Sequence, residues 1–337
     1  MLQESFRAIA IPSLFSITAL AGSLAATPSW AQDKYPSHAI TLITPYSTGG
    51  DSDLAARNFS AVAQKHFGQP VVVINKPGAS GVIGSEQGRM APPDGYTLLL
   101  SRPGSQAILP AIAPSKTNYK WSDFTPIGLL ELNPYGCYVK GTSSYKTYKD
   151  LETALRTNAG KMNYGSAGSL TTNDMGPKLL FNILGLKTLP TQIPYKGTGE
   201  ATSALLAGQV DFSCSSIGPA YGLIKAGNLR ALFVTTPERL KTLPDVPTAS
   251  ELGIKKMNQI TGWSGISGPP NMPPELVQKI WSFMEQTGKD PKWIQATENA
   301  GSVPYMKGPD EAAAFTEEQF KVYRELGESL DMIDKTM

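Results

Sequence analysis

The sequence predicts an α/β protein built from parallel sheets with crossover helices. Short β-rich runs bounded by Gly, Pro, Asn or Asp alternate with helix-like segments through most of the chain. A Gly-rich stretch, PYSTGGDSD at 45–53, sits between the first such run and the first helix, where sheets of this kind keep their ligands. A chain of 337 residues is also long enough for two lobes of ordinary domain size.

In order, the strand runs are AITLIT, VVVIN, YTLLLS, GLLEL, GCYVK, MNYGS, TQIPY, QVDFSCS and LRALFVT, each rich in β-branched or aromatic residues. Between them DLAARNFSAVAQKHFG, YKDLETALRTN, NDMGPKLLFNILG, GEATSALLAGQ and SIGPAYGLIKAG read as helices. Toward the C-terminus the strand pattern fades. PPELVQKIWSFMEQTG, DPKWIQATENAG and DEAAAFTEEQFKVYRELGESLDMI read as helices with Pro or acidic starts, a tail expected to pack back onto one lobe. There is no internal repeat and no low-complexity linker.

The N-terminus differs from the rest. Arg7 precedes an apolar run over 8–26, and Ser29-Trp30-Ala31 supplies small residues at a cleavage position. Pro12 and several Ser and Thr interrupt the run, which favours a secretory signal peptide over 1–31, cut after Ala31, over a membrane anchor. Thirty Lys and Arg against 28 Asp and Glu leave a net charge of only +2, without a basic stretch interleaved with aromatics, so nucleic acid is not an expected partner. Cys137 and Cys214 fit either one disulfide of an exported protein or two buried thiols.

A second loop, NYGSAGSLTTND at 163–174, resembles the first in composition and in running into a helix. Helix starts carry N–H groups without intrahelical partners and the positive end of the macrodipole, so an anion is favoured there. The plainer reading is that Ser, Thr and Asp simply cap the helices. Two such loops in the two halves suit a cleft that grips an acidic ligand from both sides.

Enzyme chemistry finds little support. The two histidines, His38 and His66, lie before the first strand and near the end of a helix, and no metalloprotease, nucleophile-elbow, Walker or Cys-x-x-Cys motif occurs. Asp51 and Asp53 are expected to cap a helix. No His, Cys and carboxylate cluster suggests a metal, and no cofactor is implied.

Taken together, PYSTGGDSDLAAR (45–57), GQPVVVINKPGASGVIGSE (68–86), PPDGYTLLLS (92–101), NYGSAGSLTTN (163–173), IPYKGTGEATSALLAGQVDF (193–212), IKAGNLRALFVTT (224–236) and LPDVPTASELG (243–253) resemble the Bug family, periplasmic receptors of tripartite tricarboxylate transporters. The motifs occur in order over nearly the whole chain after residue 31. The resemblance implies a two-lobed periplasmic binding protein (Venus flytrap, type II-like), each lobe a mostly parallel sheet flanked by helices. Lobe one would be 33–132 with 257–337 and lobe two 133–256. It implies a periplasmic monomer that captures a small organic acid and passes it to membrane permease subunits of a tripartite tricarboxylate transporter. A ligand-presenting component for a sensor would have the same cleft.

Carried over residue by residue, the resemblance places Tyr46, Ser47, Thr48, Gly49, Gly50 and Asp53 on one side of the ligand. Ser166, Ala167, Gly168, Thr171 and Thr172 would lie on the other, with Tyr195 facing the same cleft. This chain has Asn173 or Asp174 where many members carry His, and Cys214-Ser215-Ser216 where an acidic residue is common, which disfavours an amino-acid ligand. Arg102, directly after a strand, either offers a bidentate fork to a carboxylate or is a surface arginine, paired with an acid or solvated. With Tyr46, Tyr164, Tyr195 and Trp263 as possible flat walls, an aromatic dicarboxylate such as terephthalate is the leading expectation, ahead of aliphatic di- and tricarboxylates.

Overall fold

The computed structural model describes residues 35–334, so the expected signal peptide lies outside them. From Pro36 onward the described chain is one unit. It opens with β1 (Ile40–Thr44), almost wholly buried. Helix α1 (Asp51–Phe67) buries Ala55, Ala56, Phe59, Val62, Ala63 and Phe67 at helical spacing and stops at Gly68, whose left-handed φ of 74° returns its N–H to Gln64. Strands β2 (Val71–Asn75) and, after α2 (Val82–Arg89), β3 (Thr97–Ser101) pair with β1 on its two sides, both parallel.

A wide π-type turn at Gly104–Ile108 leads into the short α3 (Leu109–Ile112) and then β4 (Thr125–Asn133). One residue, Pro134, separates β4 from β5 (Tyr135–Lys140), the first strand of a second sheet. There follow α4 (Tyr148–Asn158), β6 (Asn163–Ser166), α5 (Thr172–Ile183), β7 (Thr191–Pro194), α6 (Thr198–Ala207), β8 (Ser213–Ser216), α7 (Gly218–Lys225) and β9 (Leu229–Val234). The chain then returns to the first sheet at β10 (Gly262–Gly268) and ends in α8 (Pro274–Gly288), α9 (Pro291–Asn299), β11 (Val303–Lys307) and α10 (Pro309–Ser329).

The first sheet has six strands in the order β11-β4-β10-β3-β1-β2; the others run β8-β5-β9 and β6-β7. The six-stranded sheet is mixed, the three-stranded one antiparallel and β6-β7 parallel, so the sheets are less parallel than expected. β10 is antiparallel to both β3 and β4, β11 is antiparallel to β4, and β5 is antiparallel to β8 and β9. The reason lies in the connectivity: crossover helices keep β1, β2 and β3 parallel, whereas the returning β10 enters between β3 and β4 running the other way. The tail is not purely helical either, since β11 forms an edge of the large sheet. Pro304 is tolerated there because an edge strand can spare a backbone donor.

Cys137 and Cys214 stand opposite each other in the β5–β8 register and form a disulfide. Among the described residues no helix is long and apolar enough to cross a membrane.

Candidate functional site

Three helices, α1, α5 and α6, start around one small cavity. Their N-cap residues are Gly50, Thr171 and Gly197, and none of the three closes its helix with a side-chain cap. By contrast, Thr147 accepts from a first-turn N–H of α4 and Asp290 from one of α9. The hydroxyl of Thr171 donates instead to the Gly168 carbonyl at 2.8 Å. The N-cap side chains thus leave all three helix starts open, although within α1 Asp51 takes the first-turn amide of Ser52, as its expected capping role requires. The positive ends of the helices favour an anion.

The cavity is about 20 Å³, room for one water molecule. Of the residues expected from the sequence, Tyr46, Arg102, Ala167, Thr171, Thr172 and Asn173 line it. Asp51, Pro103, Gly104 and Thr198 line it too and were not anticipated. A hollow of about 440 Å³ lies outside it, sharing Ala167 and bordered by the 78–81 turn, Gly168, Tyr195 and Lys196. A larger hollow, about 570 Å³, is elsewhere, between the ends of α4 and α5 at 155–161 and 184–188. Its lining includes none of the site residues expected from the sequence, so its size alone does not recommend it.

Arg102 is 3 % exposed, and both terminal nitrogens of its guanidinium have partners. Nη1 donates to Asn133 Oδ1 at 2.7 Å and to Ser264 Oγ, while Nη2 donates to Asp51 Oδ2 in a buried ion pair. Arg102 does pair with an acid of the protein, but as a buried residue and not on the surface as the plainer reading has it. Asp51 reaches further. Its Oδ1 accepts from Ser52 N at 3.0 Å and Thr198 Oγ1 at 3.2 Å, and its Oδ2 also accepts from Ser216 Oγ at 2.7 Å. Asn173 Nδ2 completes the chain by donating to Thr198 Oγ1 at 3.1 Å.

Behind Arg102 lies Glu131, 2 % exposed, whose Oε1 accepts from Asn133 Nδ2 at 2.6 Å. Burial pushes its carboxyl up to about 7, against the opposing pull of the Asn133 hydrogen bond and the Arg102 charge.

The remaining expected residues serve the loops. Gly49 N donates to Asp53 Oδ2 at 3.0 Å, and Arg57 and Asn75 bind the same carboxylate, so Asp53 organises the turn and stays off the cavity. Those partners hold its carboxyl below the usual range against the opposing effect of burial, the largest single influence. Ser47 N donates to Lys196 O at 3.2 Å, while Thr48 and Gly49 are exposed. Gly50 packs on the backbone of 198–199: a methyl there would sit 3.3 Å from Gly199 N. Ser166 Oγ accepts from Gln192 Nε2 at 2.7 Å and from Gly168 N. Tyr195 borders the outer hollow and not the inner cavity.

Ser215 is turned away, its hydroxyl on Tyr138 at 2.6 Å. Side chains alternate along β8, so its neighbour Ser216 is the one that meets Asp51. The aromatic walls shrink to one. Tyr164 is core, its hydroxyl donating to Asp174 at 2.8 Å, and Trp263 is buried against Phe315. Tyr46 does line the cavity, its hydroxyl donating to Ser80 O at 2.9 Å.

Three signals were available for the residues that were missed. KGTGE at 196–200 is a third small-residue loop running into a helix, which would have found Thr198. A buried Arg102 demands an acid, which would have found Asp51. Alternation along a strand would have separated Ser216 from Ser215.

Residues 55–332 match the family described as tripartite tricarboxylate transporter family receptor. An Agrobacterium vitis protein named "UPF0065 protein in the TAR-I ttuE-ttuC' intergenic region" is 34% identical over 86% of this chain and 83% of its own length. The periplasmic binding protein BugD superposes with a TM-score of 0.84 at 30% identity, covering 89% of this chain and 99% of BugD. MatC from Rhodopseudomonas palustris with bound malate superposes with a TM-score of 0.82 at 27% identity, covering 87% and 100%.

Proposed function

Because this chain belongs to the tripartite tricarboxylate transporter receptor family, a family of periplasmic solute-binding receptors and not of enzymes, we propose that it captures a small dicarboxylate by closing a cleft. The observation that carries the reading is the meeting of three helix starts without side-chain caps and one buried arginine at a single cavity. A similar structure holds malate, which supports an aliphatic dicarboxylate first. The Tyr46 ring supports an aromatic one such as terephthalate second.

The cleft lies between a lobe of 33–132 with 257–337 and a lobe of 133–256. A cavity the size of one water admits no organic acid, so the ligand enters when the 45–53 and 196–199 segments part. Closure then completes hydrogen bonds that neither side makes alone, and the ligand shifts the open–closed equilibrium by its preference for the closed form. The protein acts as a monomer in the periplasm after loss of 1–31, and the closed form is what the transporter's membrane permease takes up.

The test is a thermal-shift screen against malate, succinate, adipate, terephthalate, benzoate and glutamate. A ligand at a hundred times its dissociation constant adds about 2.7 kcal/mol, enough to move the melting point. Stabilisation by dicarboxylates above the other acids is expected. No shift with any acid, together with no carried acid in mass spectra of the denatured protein, would overturn the reading.

A further inference from the structure

We propose that the Asp51 carboxylate is an internal occupant of the site's anion seat, and that one carboxylate of the ligand binds by displacing it from Arg102. This rests on the receptor reading above and names the residue that sets its selectivity. Asp51 has the partners that a closed cleft would give a bound carboxylate: one guanidinium, two hydroxyls and one helix-start amide. They come from both sides. Arg102 and Ser52 follow strands of the six-stranded sheet, whereas Thr198 and Ser216 belong to α6 and β8.

Arg102 cannot turn elsewhere for an anion. Nη1 is tied to Asn133 and Ser264, which fixes the guanidinium, and Nη2 is held by Asp51 beside the cavity that both residues line. The remaining space is about 20 Å³, too small for a second carboxylate beside it. A ligand that uses Arg102 must therefore take the place of Asp51.

When the cleft opens, Asp51 parts from Thr198 and Ser216, two of its four partners. A carboxylate arriving then competes with a weakened internal pair. A dicarboxylate whose other end is held at the start of α5 competes at high effective concentration. A monocarboxylate has no such second anchor and loses to Asp51. The internal acid thus sets a threshold that two-headed acids pass and one-headed acids do not.

Calorimetric titration of the full chain with malate, terephthalate and benzoate tests this on Asp51→Asn, which keeps the side chain's shape and removes its charge. Malate or terephthalate is expected to bind at least tenfold more tightly to Asp51→Asn, and benzoate to bind measurably for the first time. Unchanged or weaker dicarboxylate binding in the folded variant overturns the proposal, making Asp51 a structural clamp. If Asp51→Asn does not fold, Asp51→Ser removes the same charge in a smaller side chain and leaves every donor of the seat in place. Tighter dicarboxylate binding is again expected, and equal or weaker binding overturns the proposal. If neither wild type nor variant binds any of the three acids, the receptor reading fails and this proposal falls with it.

Discussion

Asn133 accepts the Arg102 guanidinium at 2.7 Å and donates its own amide to Glu131 at 2.6 Å. The cation of the cavity is thereby fastened to the last residue of β4, one position before the chain crosses to the second sheet at Pro134. Asn133→Ala would strip a charge-assisted bond from a buried arginine and a second one from a buried acid. A loss of roughly 2–4 kcal/mol in urea denaturation is expected from the two together. A loss below about 0.5 kcal/mol, the range of ordinary surface substitutions, would show that Ser264 and Asp51 hold Arg102 without Asn133.

Glu131 predicts a pH dependence. Its folded value of about 7 stands above the ordinary 4.5, so the folded protein binds the proton more tightly than the unfolded chain does. Stability therefore falls as pH rises from 4.5 through 7 and levels off above that. In Glu131→Gln this slope should vanish, and the variant should gain on wild type across that window by on the order of 2–3 kcal/mol. Parallel stability curves for the two proteins between pH 4.5 and 8 would contradict it.

The proposed closure requires bare backbone at Gly199. A methyl there would lie 2.8 Å from the Gly49 carbonyl carbon and 3.0 Å from Gly50 N, atoms that cannot step aside. Gly199→Ala should hold the cleft ajar and weaken ligand binding by tenfold or more, with an overpacking cost of roughly 1–3 kcal/mol against the closed form. X-ray scattering of the ligand-free variant should give a larger radius of gyration than wild type. Equal radii and equal affinity would remove this contact from the closing mechanism.

Tyr46 predicts a local effect. Its hydroxyl holds the Ser80 carbonyl, and Ala79 and Ser80 both sit at positive φ, 46° and 54°. Tyr46→Phe removes the strut from a strained turn, at a cost of about 1 kcal/mol. Hydrogen exchange should speed up at 78–82 and remain unchanged in α8. Uniform acceleration across the chain would mean the bond serves global stability instead.

Periodicity and turn residues made nearly all of the helices and the first nine strands legible, because α1 and β1 obey local rules: apolar spacing, glycine stops, β-branched runs. β10, GWSGISG, could not be read that way. Its glycines and serines are poor strand formers, and it is a strand because β3 and β4 flank it closely: a methyl at Gly265 would meet Gly128 O at 3.0 Å. The same divide runs through the site. The 45–53 and 163–174 loops announced themselves by composition, whereas the Asp51–Arg102 pair joins residues 51 positions apart and is visible only once β1 and β3 lie side by side.

The Cys137–Cys214 bond has a consequence for where the protein becomes itself. It closes a span of 77 residues, and chain-entropy arithmetic puts the stabilisation at roughly 4 kcal/mol. In a reducing compartment the thiols stay free and the second sheet lacks that cross-link. The newly made chain is thus looser where it is synthesised than where it works, a state suited to threading through a membrane. Oxidation on the far side then makes the fold hard to reverse.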